Sequence, residues 1–365
     1  MAQDGTSWIL YGANGYTGTL IAEESARRWM RPVLAGRRPE PVKALGERIG
    51  LEWRSFPIED PGAIAREIGG FRAVLLAAGP FSATSGPVLE ACLRAGCHYI
   101  DITGEILVFE ACRRRDREAR ERGITVLPGA GFDVVPSDCL AAALKKALPG
   151  ATRLELAIHS DGALSRGTAK TILEGFSLGG AVREGGKIRR VPLAWKTALI
   201  PFRDGRRPAV SIPWGDVSTA HHSTGIPDIV VYAAAPMSLI RRLRLMRYLV
   251  RFLRVGLVQK LIRRAIDRKV TGPSAEDRRR GSAQLWGRAS TPGGEEVEGT
   301  LVTPEGYDLT ARTALVTTLR VLAGKAPAGF TTPAAAFGPE FIGEFEGCDL
   351  RIGEVRKAAA PAARA

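Results

Sequence analysis

The residues best suited to chemistry lie near the start of the chain. Gly12-Ala13-Asn14-Gly15-Tyr16-Thr17-Gly18 follows an apolar run at Trp8–Tyr11 and leads into a helical pattern over 19–29, with Leu20, Ile21, Ala22 and Ala26 apolar. Strand, glycine turn and helix together form the context of a dinucleotide fingerprint. Glycine lets the chain turn sharply and lets a pyrophosphate approach the backbone. The helix start then offers free N–H groups and the positive end of its dipole. The spacing is G-x-x-G-x-x-G, with Ala13 where the commoner pattern begins its glycines, and a merely structural turn is the alternative. About 20 residues later, where an NAD site places an acid for the ribose hydroxyl, stand Arg37 and Arg38. Two guanidiniums suit a 2′-phosphate through forked, charge-assisted hydrogen bonds. They favour NADP over NAD, the alternative being a solvated basic loop.

Positioning such a site takes repeated strand–helix units. Residues 73–78 are a continuous apolar run, as in a parallel strand covered on both faces, and a helix is expected over 86–95. A strand over 98–103, a charged helix over 109–122 and a strand over 125–127 follow. The expected fold is α/β, a Rossmann-type doubly wound parallel sheet with ligand at the carboxyl ends of its strands. Those ends supply Ala78, Gly79, Pro80 and Phe81, then Thr103, Gly104 and Glu105, then Gly131, Phe132 and Asp133. His98 and Tyr99 open their strand on the opposite edge and read as structural.

From residue 151 the pattern alternates polar and apolar like half-buried strands, and a second α+β domain with an antiparallel sheet is expected. Ser165-Arg166-Gly167-Thr168 resembles a helix N-cap. It serves either as plain capping or as a substrate-binding end, with Lys170 one turn on. Glu184-Gly-Gly-Lys187 and Thr291-Pro-Gly-Gly-Glu295 are hairpin signals. The adjacent His221 and His222 diverge in any regular element, so no shared metal is expected. A helix over 309–322 is expected to return to the first domain. The expected domains are 1–140, 141–307 and a returning segment 308–355.

The 365 residues, 45% hydrophobic and 25% charged, are ordinary globular composition. Five cysteines without metal-like spacing argue against a disulfide scaffold or a structural zinc site. The start does not read as a signal peptide, and no apolar run is long enough to span a bilayer. A cytoplasmic location is expected, with peripheral contact at the inner face of the plasma membrane as an extension of it. Net charge is +14, and residues 238–270 hold eleven basic residues against Asp267 alone, a net +10. There Leu239, Leu243, Met246, Val250, Leu253 and Leu257 recur on one face of a helix, and Arg244, Arg247, Arg251 and Arg254 on another. Three readings stay open for it: a solvated domain helix, a helix lying on an anionic membrane, or a dock for an acidic carrier protein. Nucleic acid fits least, because no recognition module accompanies the charge.

Residues 11–18, Ala-Gly-Pro-Phe at 78–81, His-Tyr-Ile-Asp-Ile-Thr-Gly-Glu at 98–105 and Pro-Gly-Ala-Gly-Phe-Asp-Val-Val-Pro-Ser-Asp at 128–138 resemble the saccharopine dehydrogenase-like oxidoreductases. The branch they are most similar to includes the bacterial trans-acting enoyl reductases. The resemblance implies an NADP-type Rossmann domain, a second domain on an antiparallel sheet and, by analogy, a homodimer. It implies hydride transfer, and from the enoyl reductase branch the reduction of a C=C bond in a lipidic or carrier-bound acyl substrate. Such a reaction needs a polarised carbonyl and a proton for the carbanion. Ser165, Thr168 or Lys170 could do the first and Asp133 or Glu105 the second, with Arg166 and Phe132 lining the substrate. No Ser-Tyr-Lys or comparable catalytic signature is present. Two other readings stay open: a non-catalytic nucleotide-binding protein docking through its basic helix, and a saccharopine dehydrogenase-like C–N oxidoreductase. The latter needs a cationic pocket, for which only Arg166 stands out.

Overall fold

The computed structural model describes residues 7–160, 162, 165–169, 179–247, 264–265 and 268–357. The first domain alternates β1 (Trp8–Tyr11), α1 (Tyr16–Arg27), β2 (Val33–Gly36), α2 (Pro39–Ile49), β3 (Trp53–Ser55), α3 (Pro61–Glu67), β4 (Ala73–Leu76) and α4 (Phe81–Ala95). It continues with β5 (His98–Asp101), α5 (Ile106–Arg114), α6 (Asp116–Glu121) and β6 (Thr125–Leu127). Alternate side chains of β1 explain the two layers. Trp8 and Leu10 face a core with Ile21 and Ala22 of α1, whereas Ile9 and Tyr11 face one with Val88 and Leu89 of α4.

The chain then leaves through α7 (Val135–Ala147) and builds the second domain. Its elements are β7 (Arg153–Ser160), β8 (Gly180–Glu184), β9 (Lys187–Val191), β10 (Thr197–Phe202), β11 (Gly205–Ser211), α8 (Asp216–Thr224), β12 (Asp228–Ala234), α9 (Met237–Met246), α10 (Ala275–Arg280), β13 (Ser282–Ser290) and β14 (Glu295–Pro304). The last elements are α11 (Gly306–Leu322), β15 (Gly329–Phe330), α12 (Pro333–Phe337), β16 (Asp349–Ile352) and β17 (Arg356–Lys357). Among the described residues the first sheet runs β15-β6-β5-β4-β1-β2-β3, every pair parallel. The second runs β10-β11-β12-β7-β13-β14-β16 with β8, β9 and β17 attached. It is mixed rather than purely antiparallel, because β12 and β7 pair in parallel.

Three expectations are corrected in detail. The boundary expected at 140 falls inside α7, whose Leu140 and Leu144 pack into the second domain's core. The segment 308–355 divides: α11 and β15 join the nucleotide domain, but β16 pairs with β14. The helix expected over 109–122 is broken into α5 and α6 at Arg115, which is held by Glu90 and Glu118. A buried Arg183 of β8 ties the two domains together by reaching Glu110 of α5 at 3.1 Å. Ser218 of α8 donates to the same carboxylate at 2.6 Å. The neighbouring His222 ring, its Nε2 3.7 Å from the carboxylate, is the largest of the influences holding Glu110 down at about 2.

Candidate active site

The glycine turn is a close-packed cradle. Gly12 has φ +87°, and a Cβ there would meet the Ala78 nitrogen at 2.7 Å. A Cβ on Gly18 would come within 2.1 Å of the Gly12 carbonyl oxygen, so helix and turn touch backbone to backbone. Gly15, the N-cap of α1, brings no side-chain cap, which leaves the helix start open. Ala13 is fully buried and gives its N–H to Ala35 at 3.1 Å, so its side chain belongs to the core. Asn14 Oδ1 lies against Gly36, at the end of β2, and Thr17 is half-buried in the first turn of α1. Arg37 and Arg38 stand just beyond Gly36, both exposed and with no side-chain hydrogen bond or ion pair among the described residues. An open helix start, a backbone that excludes side chains and two uncommitted guanidiniums fit NADP.

Several residues expected at the site are occupied structurally. Both oxygens of Glu105 accept backbone N–H groups at the start of α4, from Phe81 at 2.9 Å and Ser82 at 2.8 Å. That carboxylate is a cap. Thr103 is fully buried, and its hydroxyl accepts the Glu105 N–H at 3.1 Å. The Phe81 ring is buried in the core. Gly79 and Pro80 remain more open, and Ala78 is half-buried with its carbonyl taken by Thr84 at 2.6 Å. The Phe132 ring packs beneath Gly306 and is half-buried. Arg166 is exposed and gives its Nε–H to the Val270 carbonyl at 2.6 Å. Lys170 lies outside the described residues. We expect Glu105→Ala to cost about 2 kcal/mol, two charge-assisted hydrogen bonds being lost. Thermal unfolding would show it, and an unchanged midpoint would mean that water replaces the cap.

A different cluster forms where the second domain meets the nucleotide turn. Ser165 caps the helical turn at 166–169, its Oγ accepting the Thr168 N–H at 3.3 Å. Ser165 N–H donates to the Tyr307 hydroxyl at 2.6 Å, and the Thr168 hydroxyl lies 2.8 Å from the same oxygen. Buried Glu305 places Tyr307 by accepting the N–H groups of Tyr307 and Asp308, at 2.8 and 3.1 Å. Burial raises the Tyr307 phenol above its ordinary value, so it stays protonated. Tyr16 of the glycine turn packs edge-on against Tyr307, ring centres 4.9 Å apart. Its hydroxyl donates to Pro273 at 2.6 Å and accepts from Arg278 at 3.0 Å. Expected as a cofactor contact, Tyr16 bridges the two domains.

Asp133 adds the acid. Its backbone carbonyl accepts from the Trp214 indole at 2.8 Å, while no described residue donates to its carboxylate. The Gly104 backbone leaves it room: a Cβ there would lie 2.9 Å from Asp133 Oδ2. Burial pushes this carboxyl up to about 6, and its charge acts on Tyr307. The loop carrying Asp133 is held by Asp101, whose Oδ1 accepts from Thr103 N–H and Gly129 N–H, both at 2.9 Å.

His98 Nδ1 accepts from Thr125 N–H at 2.9 Å and Tyr99 is buried beside Asp101, so both are structural. His221 and His222 do diverge, to the Ile226 carbonyl and toward Glu110 respectively. Among the described residues no cluster of His, Cys, Asp or Glu could hold a metal ion, and no helix is long and apolar enough to cross a membrane. Sequence reasoning missed Tyr307. Its signal was the Pro304-Glu305-Gly306 lead-in to a helix already expected to return to the first domain.

Residues 8–127 match the family described as saccharopine dehydrogenase NADP binding domain. The nucleotide domain is thus similar to this family over those residues. Its cofactor is accordingly NADP, as the Arg37-Arg38 pair implies. Trans-acting enoyl reductases of Mycobacterium ulcerans (strain Agy99) and Mycobacterium leprae (strain TN) are 30% and 32% identical over 141 residues, 36% of this chain. The matched stretch is 33% of each relative's own length. Over the whole fold, apo saccharopine dehydrogenase (L-Glu forming) from Saccharomyces cerevisiae superposes with a TM-score of 0.66 at 13% identity. That match covers 95% of this chain and 99% of the other. The two chains thus share a two-domain architecture.

Proposed function

We propose that the protein is an NADPH-dependent oxidoreductase that reduces the C=C bond of an enoyl thioester, lipidic or carrier-bound. The observation that carries this reading is the hydroxyl cluster of Ser165, Thr168 and Tyr307, set beside the nucleotide turn, with the charge of Asp133 acting on Tyr307. The names of the mycobacterial relatives support the substrate class. NADPH, held by the glycine turn and the Arg37-Arg38 pair, would supply the reducing hydride. Tyr307, its oxygen held by Ser165 N–H, donates to the thioester carbonyl, and Thr168 steadies the phenol. Asp133 in its protonated form gives a proton to the α-carbon and recovers one from water.

A polar, convergent cluster of this kind speaks against a purely nucleotide-binding role. C–N chemistry on a polycarboxylate is disfavoured because Arg166 is turned to the Val270 carbonyl.

The test is oxidation of NADPH by enoyl thioesters of increasing chain length, followed by nicotinamide absorbance. Turnover is expected, and Tyr307→Phe should lower kcat roughly 10- to 100-fold with the Kd for NADPH unchanged. Tight NADPH binding without turnover at any chain length would overturn the reading.

A further inference from the structure

Helix α9 (Met237–Met246) sits on the second domain by one side only. Ile240 is fully buried against Ala194 and Val210, and Leu243 packs beside it. The other side should therefore be polar, as on an ordinary surface helix. It is not. Leu245 is 70% exposed, Leu239 45% and Met246 40%. Arg241 and Arg242 stand one turn before Leu245 and are exposed with it.

Around the helix axis, basic and apolar side chains alternate over the whole outward half. Leu239, Arg242 and Met246 share one flank, with Arg241 and Leu245 on the crest. The sequence continues in the same vein: the stretch 238–270 has a net charge of +10. Most of it lies outside the described residues.

We infer that this face docks on an anionic lipid bilayer. The headgroup layer accepts both kinds of side chain at every angle around the helix. Apolar groups enter the acyl boundary, while arginines extend their stems to reach phosphates. An acidic protein groove would instead call for a narrow apolar stripe with the charges segregated from it. The helix lies flat on the domain, held by Ile240, so its outward half is presented lengthwise to a surface. The inference goes beyond the proposed reaction and stands without it.

Co-sedimentation of the full chain tests it, with vesicles of phosphatidylcholine alone and of phosphatidylcholine containing one quarter phosphatidylglycerol. The protein should sediment only with the anionic vesicles at physiological salt and be released at high salt. Two variants carry the decision. Leu245→Ser/Met246→Ser removes apolar contact with all charges intact, and Arg241→Gln/Arg242→Gln does the reverse. Each should weaken binding by about tenfold or more while leaving NADPH binding and the thermal midpoint unchanged. Absence of sedimentation with anionic vesicles would overturn the inference, as would equal binding to neutral ones. Full binding by the Leu245→Ser/Met246→Ser variant would also overturn it, since bare charge attraction fits an acidic protein equally well.

Discussion

Asp133→Asn is expected to lower kcat by roughly 10²- to 10⁴-fold, the range for loss of a positioned general acid. Its carboxyl is raised by burial to about 6, and the form that donates is the protonated one. The wild-type rate should therefore be level below pH 6 and fall about tenfold per unit above it. Asparagine should flatten that profile as well as lower it.

Stability supplies an independent sign. A carboxyl whose folded pKa lies above the unfolded value of about 3.9 penalises the folded state once it ionises. Wild type thus loses stability as pH rises from about 4 through 6, and Asp133→Asn does not. The variant should gain thermal midpoint relative to wild type at pH 8 but not at pH 4. A slow enzyme that keeps the wild-type pH profile would place the proton elsewhere.

The second large effect concerns the cofactor. Arg37 and Arg38 are exposed and uncommitted among the described residues, so removing both leaves no orphaned partner in the protein. Charge-assisted hydrogen bonds contribute about 1.5–3 kcal/mol each, and at the lower end, which suits an exposed site, the pair should account for roughly 100-fold in NADPH affinity. Titration of nicotinamide fluorescence should show Arg37→Ala/Arg38→Ala losing that factor for NADPH while NADH, which has no 2′-phosphate, changes little. Equal losses for both nucleotides would mean that the arginines shape the loop rather than read the phosphate.

Local chemistry was legible in the sequence and tertiary chemistry was not. The turn at 12–18 and the pair at 37–38 act through their own backbone and charge, so their residue types reveal them. Helix α4 shows the contrast. Gly86 and Pro87 read as a helix beginning, yet the helix starts at Phe81 because Glu105, 24 residues away in sequence, caps it. The same bond removes Glu105 from the candidate acids, and no local pattern announces it. Tyr307 was hidden for a related reason. Its partners Ser165 and Thr168 lie about 140 positions earlier, and only the return of α11 to the first sheet brings them together. On the basic helix, periodicity found the amphipathic repeat but could not say which apolar residues the domain would cover. Ile240 is covered and Leu245 is not.

The return of α11 and β15 has a bearing on how the chain is made. Ala311, Ala314 and Leu315 complete the core over Leu10, Leu34 and Leu75, and β15 closes one edge of the first sheet. During synthesis, that apolar face stays uncovered until the ribosome has passed residue 330, after almost the whole second domain has emerged. The first domain begun is therefore among the last finished. A chain released before α11 lacks both the lid of its nucleotide core and Tyr307, and its exposed sheet face marks it for chaperones or proteolysis.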